Sequence, residues 1–231
     1  MKSTYGILLL IVFFVAGCKK DDEPRRWVAA YTNVTLGDQA NLTTGHFFQP
    51  STGQSVLLEN TANVQKTLAM MFFTETGGAN QFLTFPANGE NASTWGTANI
   101  RLFTQNPDGL NFWNHADMVS GMIYAPPSTT TDQFDALMAS RDWKAFDDFF
   151  TSKNASSPNL EFKAHYRLRP TAGDVYLVQF NGLVRAVLCV RNVVPSSSTG
   201  GSIRFDIIVE GREIWENNNN ARHLQPLDPN N

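Results

Sequence analysis

Residues 175–194 read VYLVQFNGLVRAVLCVRNVV, and this stretch decides the fold class. Two runs rich in Val, Leu and aromatic residues flank Asn181-Gly182. Both central residues of a type I′ turn need positive φ, which makes Asn-Gly the strongest short hairpin signal. The prediction is a β-hairpin with strands over 175–180 and 183–194. After the polar loop 196–201, Ile203, Phe205, Ile207 and Val209 alternate as a further strand. Before the hairpin, Leu160, Phe162, Ala164, Tyr166 and Leu168 alternate with Glu161, Lys163, His165, Arg167 and Arg169, the pattern of a strand with one solvated face. Together these pieces predict an antiparallel meander.

The N-terminal half carries the same grammar in shorter runs. Residues 27–34 partly alternate, and Gly37-Asp38 and Thr44-Gly45 are turn signals. Residues 54–58 and 67–74 read as strands; 68–73 is apolar on both faces, so it belongs in the middle of a sheet. Residues 82–85 form a short strand that stops at Pro86, and 100–103 another, before the turn Asn106-Pro107-Asp108-Gly109. The period changes in the middle of the chain. Thr131-Asp132 can cap a helix; Phe134, Leu137 and Met138, then Trp143, Phe146, Phe149 and Phe150, fall on one face at helical spacing. That aromatic stripe reads as a core face. The expected architecture is mainly β, an antiparallel β-sandwich-like domain over 27–215 with a short helical insertion around 131–152. A polar tail, 216–231, is expected to be disordered.

The first residues set the compartment. Residues 7–16 are almost purely apolar, then Val15-Ala16-Gly17-Cys18 gives way to Lys19-Lys20-Asp21-Asp22-Glu23. The apolar run covers only about half of a ~30 Å hydrocarbon core, so it fits a signal-peptide core rather than a membrane span. Small residues before Cys18 resemble a bacterial lipobox. The resemblance implies that 1–17 is a leader, that Cys18 becomes the lipid-modified, palmitate-bearing first residue, and that 18–26 is a charged tether. Three acyl chains, at about 0.8 kcal/mol per buried CH₂, hold such a protein permanently. Cys-Lys-Lys-Asp-Asp-Glu also resembles the lipoprotein export signal of the Bacteroidota, which implies an outer-membrane protein exposed at the cell surface, with a periplasm-facing one as second choice.

Composition narrows the partners. The formal net charge is −3, and loss of Lys2 with the leader makes the mature chain one unit more negative, which argues against nucleic acid. Of the two cysteines, Cys189 lies in an apolar run and has no partner for a disulfide, so it reads as a buried inert thiol. Four further stretches resemble a group of Bacteroidota surface lipoproteins. They are 41–48 with Gly45 and Phe47, 131–137, Gly173-Asp174-Val175-Tyr176 with the Gly182 hairpin, and 201–207. The resemblance implies a β-rich surface protein and transfers no active site.

Chemistry is thinly marked. The four histidines, His46, His115, His165 and His223, show no metal-ligand spacing, and no metal or cofactor is implied. No nucleophile motif and no phosphate loop occur. One block, 88–114, mixes Trp95, Phe103, Phe112 and Trp113 with Asn91, Asn99, Asn106, Asn111 and Asn114. Aromatic faces and paired amides are what a sugar ring needs, so Trp95, Trp113, Asn111 and Asn114 are the candidate ligand-binding residues. A basic strip, Lys163, His165, Arg167 and Arg169 with Arg185, Arg191 and Arg204, is the second feature, though Glu161, Asp206 and Glu210 on similar faces neutralise much of it. Asp147-Asp148 reads as a solvated helix face. The expected function is a non-enzymatic binding or accessory module meeting a glycan or an outer-membrane protein. The alternative is a surface hydrolase acting on polysaccharide or another polymer through carboxylates such as Asp117 and Glu90.

Overall fold

The structure is a computed structural model and describes residues 26–61, 64–75, 80–86, 119–155, 167–180, 184–215 and 222–226. The hairpin stretch forms β8 (Val175–Phe180) and β9 (Val184–Val194), paired antiparallel from Val175↔Cys189 to Phe180↔Val184. That register sets three residues, 181–183, between the last pair, one more than a two-residue type I′ loop, whose closing pair would be Phe180 and Leu183. The Asn181-Gly182 turn itself lies outside the described residues. β10 (Ser202–Trp215) continues the meander along β9, and β1 (Arg26–Gly37) pairs along the other side of β10. β6 (Gly121–Tyr124) closes the far edge against β8. The first sheet therefore runs β1-β10-β9-β8-β6, with β11 (Arg222–Pro226) pairing the end of β10. β11 falls inside the stretch expected to be a disordered polar tail.

The second sheet takes the early strands β2 (Phe47–Gln49), β3 (Gln54–Val56), β4 (Met70–Thr74) and β5 (Gln81–Thr84), together with β7 (Arg167–Leu168). Its order is β3-β2-β4-β5-β7, all antiparallel. β4 is the middle strand and all five of its residues are buried, as the two-faced apolar run required. The fold is mainly β, two antiparallel sheets packed as a sandwich. Val34, Phe48, Phe72, Val178, Leu188 and Phe205 share the core between them. Phe48 and Phe205 meet edge to face across the sandwich, ring centres 5.7 Å apart.

Two helices cover the outer face of the first sheet, α1 (Thr131–Ser140) and α2 (Trp143–Ala155). Thr130 is the cap of α1, one residue ahead of the expected Thr131-Asp132. Its Oγ1 accepts from the Gln133 N–H, and the Gln133 side chain accepts from the Thr130 N–H, both at 3.3 Å. Asp142 caps the start of α2 by accepting from the Ala145 N–H at 2.8 Å. The stripe Phe134, Leu137, Phe146 and Phe150 is buried against Val28, Leu177, Val187, Cys189 and Ile208. Each such side chain stabilises by about 1.5–3 kcal/mol. With helices on one face and a second sheet on the other, β9 is buried on both, which explains its unbroken run Ala186 to Val190. On the far face of the second sheet, Phe47, Leu68, Met71, Phe73 and Phe82 form a third cluster, packed by Val56, Leu58 and Val64 around two single 3₁₀ turns. No helix among the described residues is long and apolar enough to cross a membrane.

Candidate functional site

The bulge in β1 shapes one wall of an open groove. Tyr31 pairs with Ile207 and Val34 with Phe205, so β1 spends one residue more than β10 over this step. The excess is absorbed at Thr32-Asn33, where Asn33 takes a left-handed φ of 57°. Its N–H donates to Asp206 Oδ1 at 2.7 Å, and Thr35 Oγ1 donates to its carbonyl at 3.4 Å. Asp206 is itself held. Its Oδ2 accepts from Arg191 Nε at 2.8 Å, and Arg191 Nη2 reaches Asp135 on α1 while its guanidinium lies 5.4 Å over the Phe134 ring.

Opposite the bulge stands the β2–β3 hairpin. Gly53 closes it with φ 72°, donating to the Gln49 carbonyl at 2.9 Å. A Cβ on Gly53 would sit 2.1 Å from the Tyr31 ring, and one on Gly45 would sit 2.5 Å from the Ser55 backbone. Only glycine lets these walls approach so closely. The loop before β2 is pinned by Asn41, whose Oδ1 accepts from the Thr43 and Thr44 N–H groups at 3.2 and 3.1 Å. Beneath it Asp38 is fully buried and accepts from Thr74 Oγ1 at 2.6 Å and from the Ala40 N–H at 3.1 Å. His46 is buried beside it, with Nδ1 3.3 Å from the Gly37 carbonyl. Burial pushes its imidazole below the ordinary value, against the opposing pull of the Gly37 carbonyl, Asp38 and Glu59.

Between bulge, loop and hairpin lies a groove of about 530 Å³, lined by Thr32–Thr35, Thr43–Gly45, Gly53–Ser55 and Leu57. It contains no charged side chain. Among the described residues the hydroxyls of Thr32, Thr44 and Ser55 and the side-chain amides of Asn33 and Gln54 have no hydrogen-bond partner. The groove therefore offers neutral donors and acceptors beside one part-buried apolar residue, Leu57. It can hold an uncharged polar ligand and has no group to transfer a proton.

Trp95, Trp113, Asn111 and Asn114 lie outside the described residues, as do Cys18, Glu90, Asp117, His115 and His165. Of the basic strip, Arg185, Arg191 and Arg167 meet acidic partners, and Lys163 lies outside the described residues. Arg185 Nε and Nη2 donate to both oxygens of Glu210 at 2.8 and 3.2 Å, and Nη1 donates to Asp147 on α2 at 2.8 Å. The same guanidinium lies 5.1 Å from the Trp143 ring and 5.2 Å from Phe150. Asp147 is thus an arginine partner, whereas Asp148 forms the exposed pair with Lys144. Arg167 stands 3.9 Å from Glu75 and over the Phe82 ring. Cys189 is fully buried, and burial pushes its thiol up to about 11. The groove residues were missed because they come from three short segments within 32–57 that share no common periodicity. The available signal was the broken alternation at Thr32-Asn33.

Compared with known proteins, the chain matches no family model, no curated protein and no solved structure.

Proposed function

We propose that this chain is a lipoprotein held in the outer membrane through Cys18, displayed at the cell surface, and acting there as a non-enzymatic binding module for glycans. The run from Val15 to Glu23 supports the anchor and the display. The single observation that supports binding over hydrolysis is the fate of the carboxylates. Hydrolysis of a glycosidic bond needs two carboxyl groups facing one cleft. The two buried carboxylates among the described residues are Asp38 and Glu210, and each is engaged by structural partners. Half-buried Asp206 is engaged by Arg191 and Asn33. The open groove contains no acid. A β-sandwich presenting uncharged hydrogen-bonding side chains suits recognition of hydroxyl-rich polymers, and the Trp95 and Trp113 block supplies stacking residues of the right kind.

Three measurements test this reading. Palmitate labelling should depend on Cys18 and vanish in Cys18→Ser. Protease added to intact cells should remove the protein, and should fail to do so when Asp21, Asp22 and Glu23 are changed to Ala. A glycan array should register binding that weakens in Trp95→Ala and Trp113→Ala variants with unchanged circular dichroism. Release of shortened products from a bound glycan would transfer the case to the hydrolase.

A further inference from the structure

We infer that the groove beside the β1 bulge is a saccharide subsite, one that takes a neutral sugar unit through hydroxyl and amide contacts rather than through stacking. The inference rests on the glycan-binding reading above and adds a second place of contact, separate in sequence from Trp95 and Trp113. Three observations carry it. The groove, about 530 Å³, lies within the roughly 300–1,000 Å³ that small-ligand sites occupy. Its free polar groups are all uncharged, so an anionic or cationic ligand finds no counter-charge, whereas vicinal hydroxyls find both donors and acceptors. One wall is held in a sparsely populated backbone state, with Asn33 at φ 57° on a bulge tied down by Asp206. Bulges of this kind re-aim side chains next to sites, and non-glycine left-handed residues persist where surrounding structure holds them. Asn33 lines the groove at this bulge, with Gln54 and Ser55 on the opposite wall.

Asn33→Gly tests this cleanly, because glycine adopts the same φ and only the amide is lost. The full chain is purified in a detergent without a sugar headgroup and titrated calorimetrically with neutral gluco-, manno- and xylo-oligosaccharides. The expected result is binding that weakens about fivefold in Asn33→Gly and again in Ser55→Ala, the loss of one hydrogen bond each. Thermal melts of both variants should match the parent. Binding that survives both substitutions but is lost in Trp95→Ala and Trp113→Ala overturns the subsite and leaves the glycan module standing. Absence of binding to every neutral oligosaccharide at millimolar concentration overturns both.

Discussion

The backbone N–H of Asn33 donates to the Asp206 carboxylate at 2.7 Å, tying a left-handed residue on the edge strand β1 to the acid on its neighbour β10. Asp206 in turn holds Arg191, which reaches Asp135 on α1. One line of charge-assisted contacts therefore runs from the helical layer to the wall of the groove. Asp206→Ala leaves the Asn33 N–H and one guanidinium edge without their acceptor. Loss of a hydrogen bond to a charged group costs about 1.5–3 kcal/mol. Urea unfolding should show a destabilisation in that range, while Asn33→Gly should stay within about 0.5 kcal/mol of the parent.

Arg185 does the same service for α2, and at greater depth. Glu210 is 5% exposed and relies on Arg185 and on Arg26, whose side chain is 56% exposed. Arg185→Met should destabilise by about 3–5 kcal/mol, because it strands a buried carboxylate. The double variant Arg185→Met with Glu210→Met removes the stranded charge and should recover most of that loss. A double variant as unstable as the single one would show that packing of the guanidinium on Trp143 and Phe150, and not the charge pair, carries the effect.

Stability should fall with acid through His46. Its folded pKa is depressed by burial, so between that value and the unfolded value of about 6.5 the unfolded chain binds the extra proton. The contribution is fully present above about pH 6.5 and is lost as pH drops toward the folded value. Urea midpoints measured from about pH 7.5 down to about pH 5 should decline, and His46→Gln should flatten that part of the curve. An identical slope in the variant would assign the pH dependence to other groups.

Cys189 should ignore thiol reagents while the fold holds. Its side chain is fully buried in the layer under the helices, and its thiol is pushed up to about 11. In a Cys18→Ser background, a disulfide reagent at about pH 8 should react only in step with global unfolding. Rapid stoichiometric labelling in native buffer would show that α1 opens away from β9.

The strand skeleton was legible where one residue pattern determines one face. The alternation of Ile203, Phe205, Ile207 and Val209 identified β10, and the two-faced run 68–73 identified the central strand β4. Phe134, Leu137, Phe146 and Phe150 marked the helices by period, although Thr130 proved to be the cap. The short strands β2 and β6 were not legible, because three or four residues carry too little periodicity. The helix-to-sheet arginine contacts were read only in part. Glu210 and Asp206 were visible as strand neighbours, but Asp135 and Asp147 reach Arg191 and Arg185 through tertiary packing alone. The groove follows the same logic, since a bulge, a loop and a hairpin meet there without any shared local pattern.

The proposed anchor, display and binding all meet in one measurement: flow cytometry of intact cells of a Bacteroidota host incubated with fluorescently labelled neutral polysaccharides. Cells expressing the full chain should take up label above cells without it, and Cys18→Ser should abolish the gain while the protein is still made. Label that does not rise with expression, or that rises equally in Cys18→Ser, would contradict a lipid-anchored surface glycan binder.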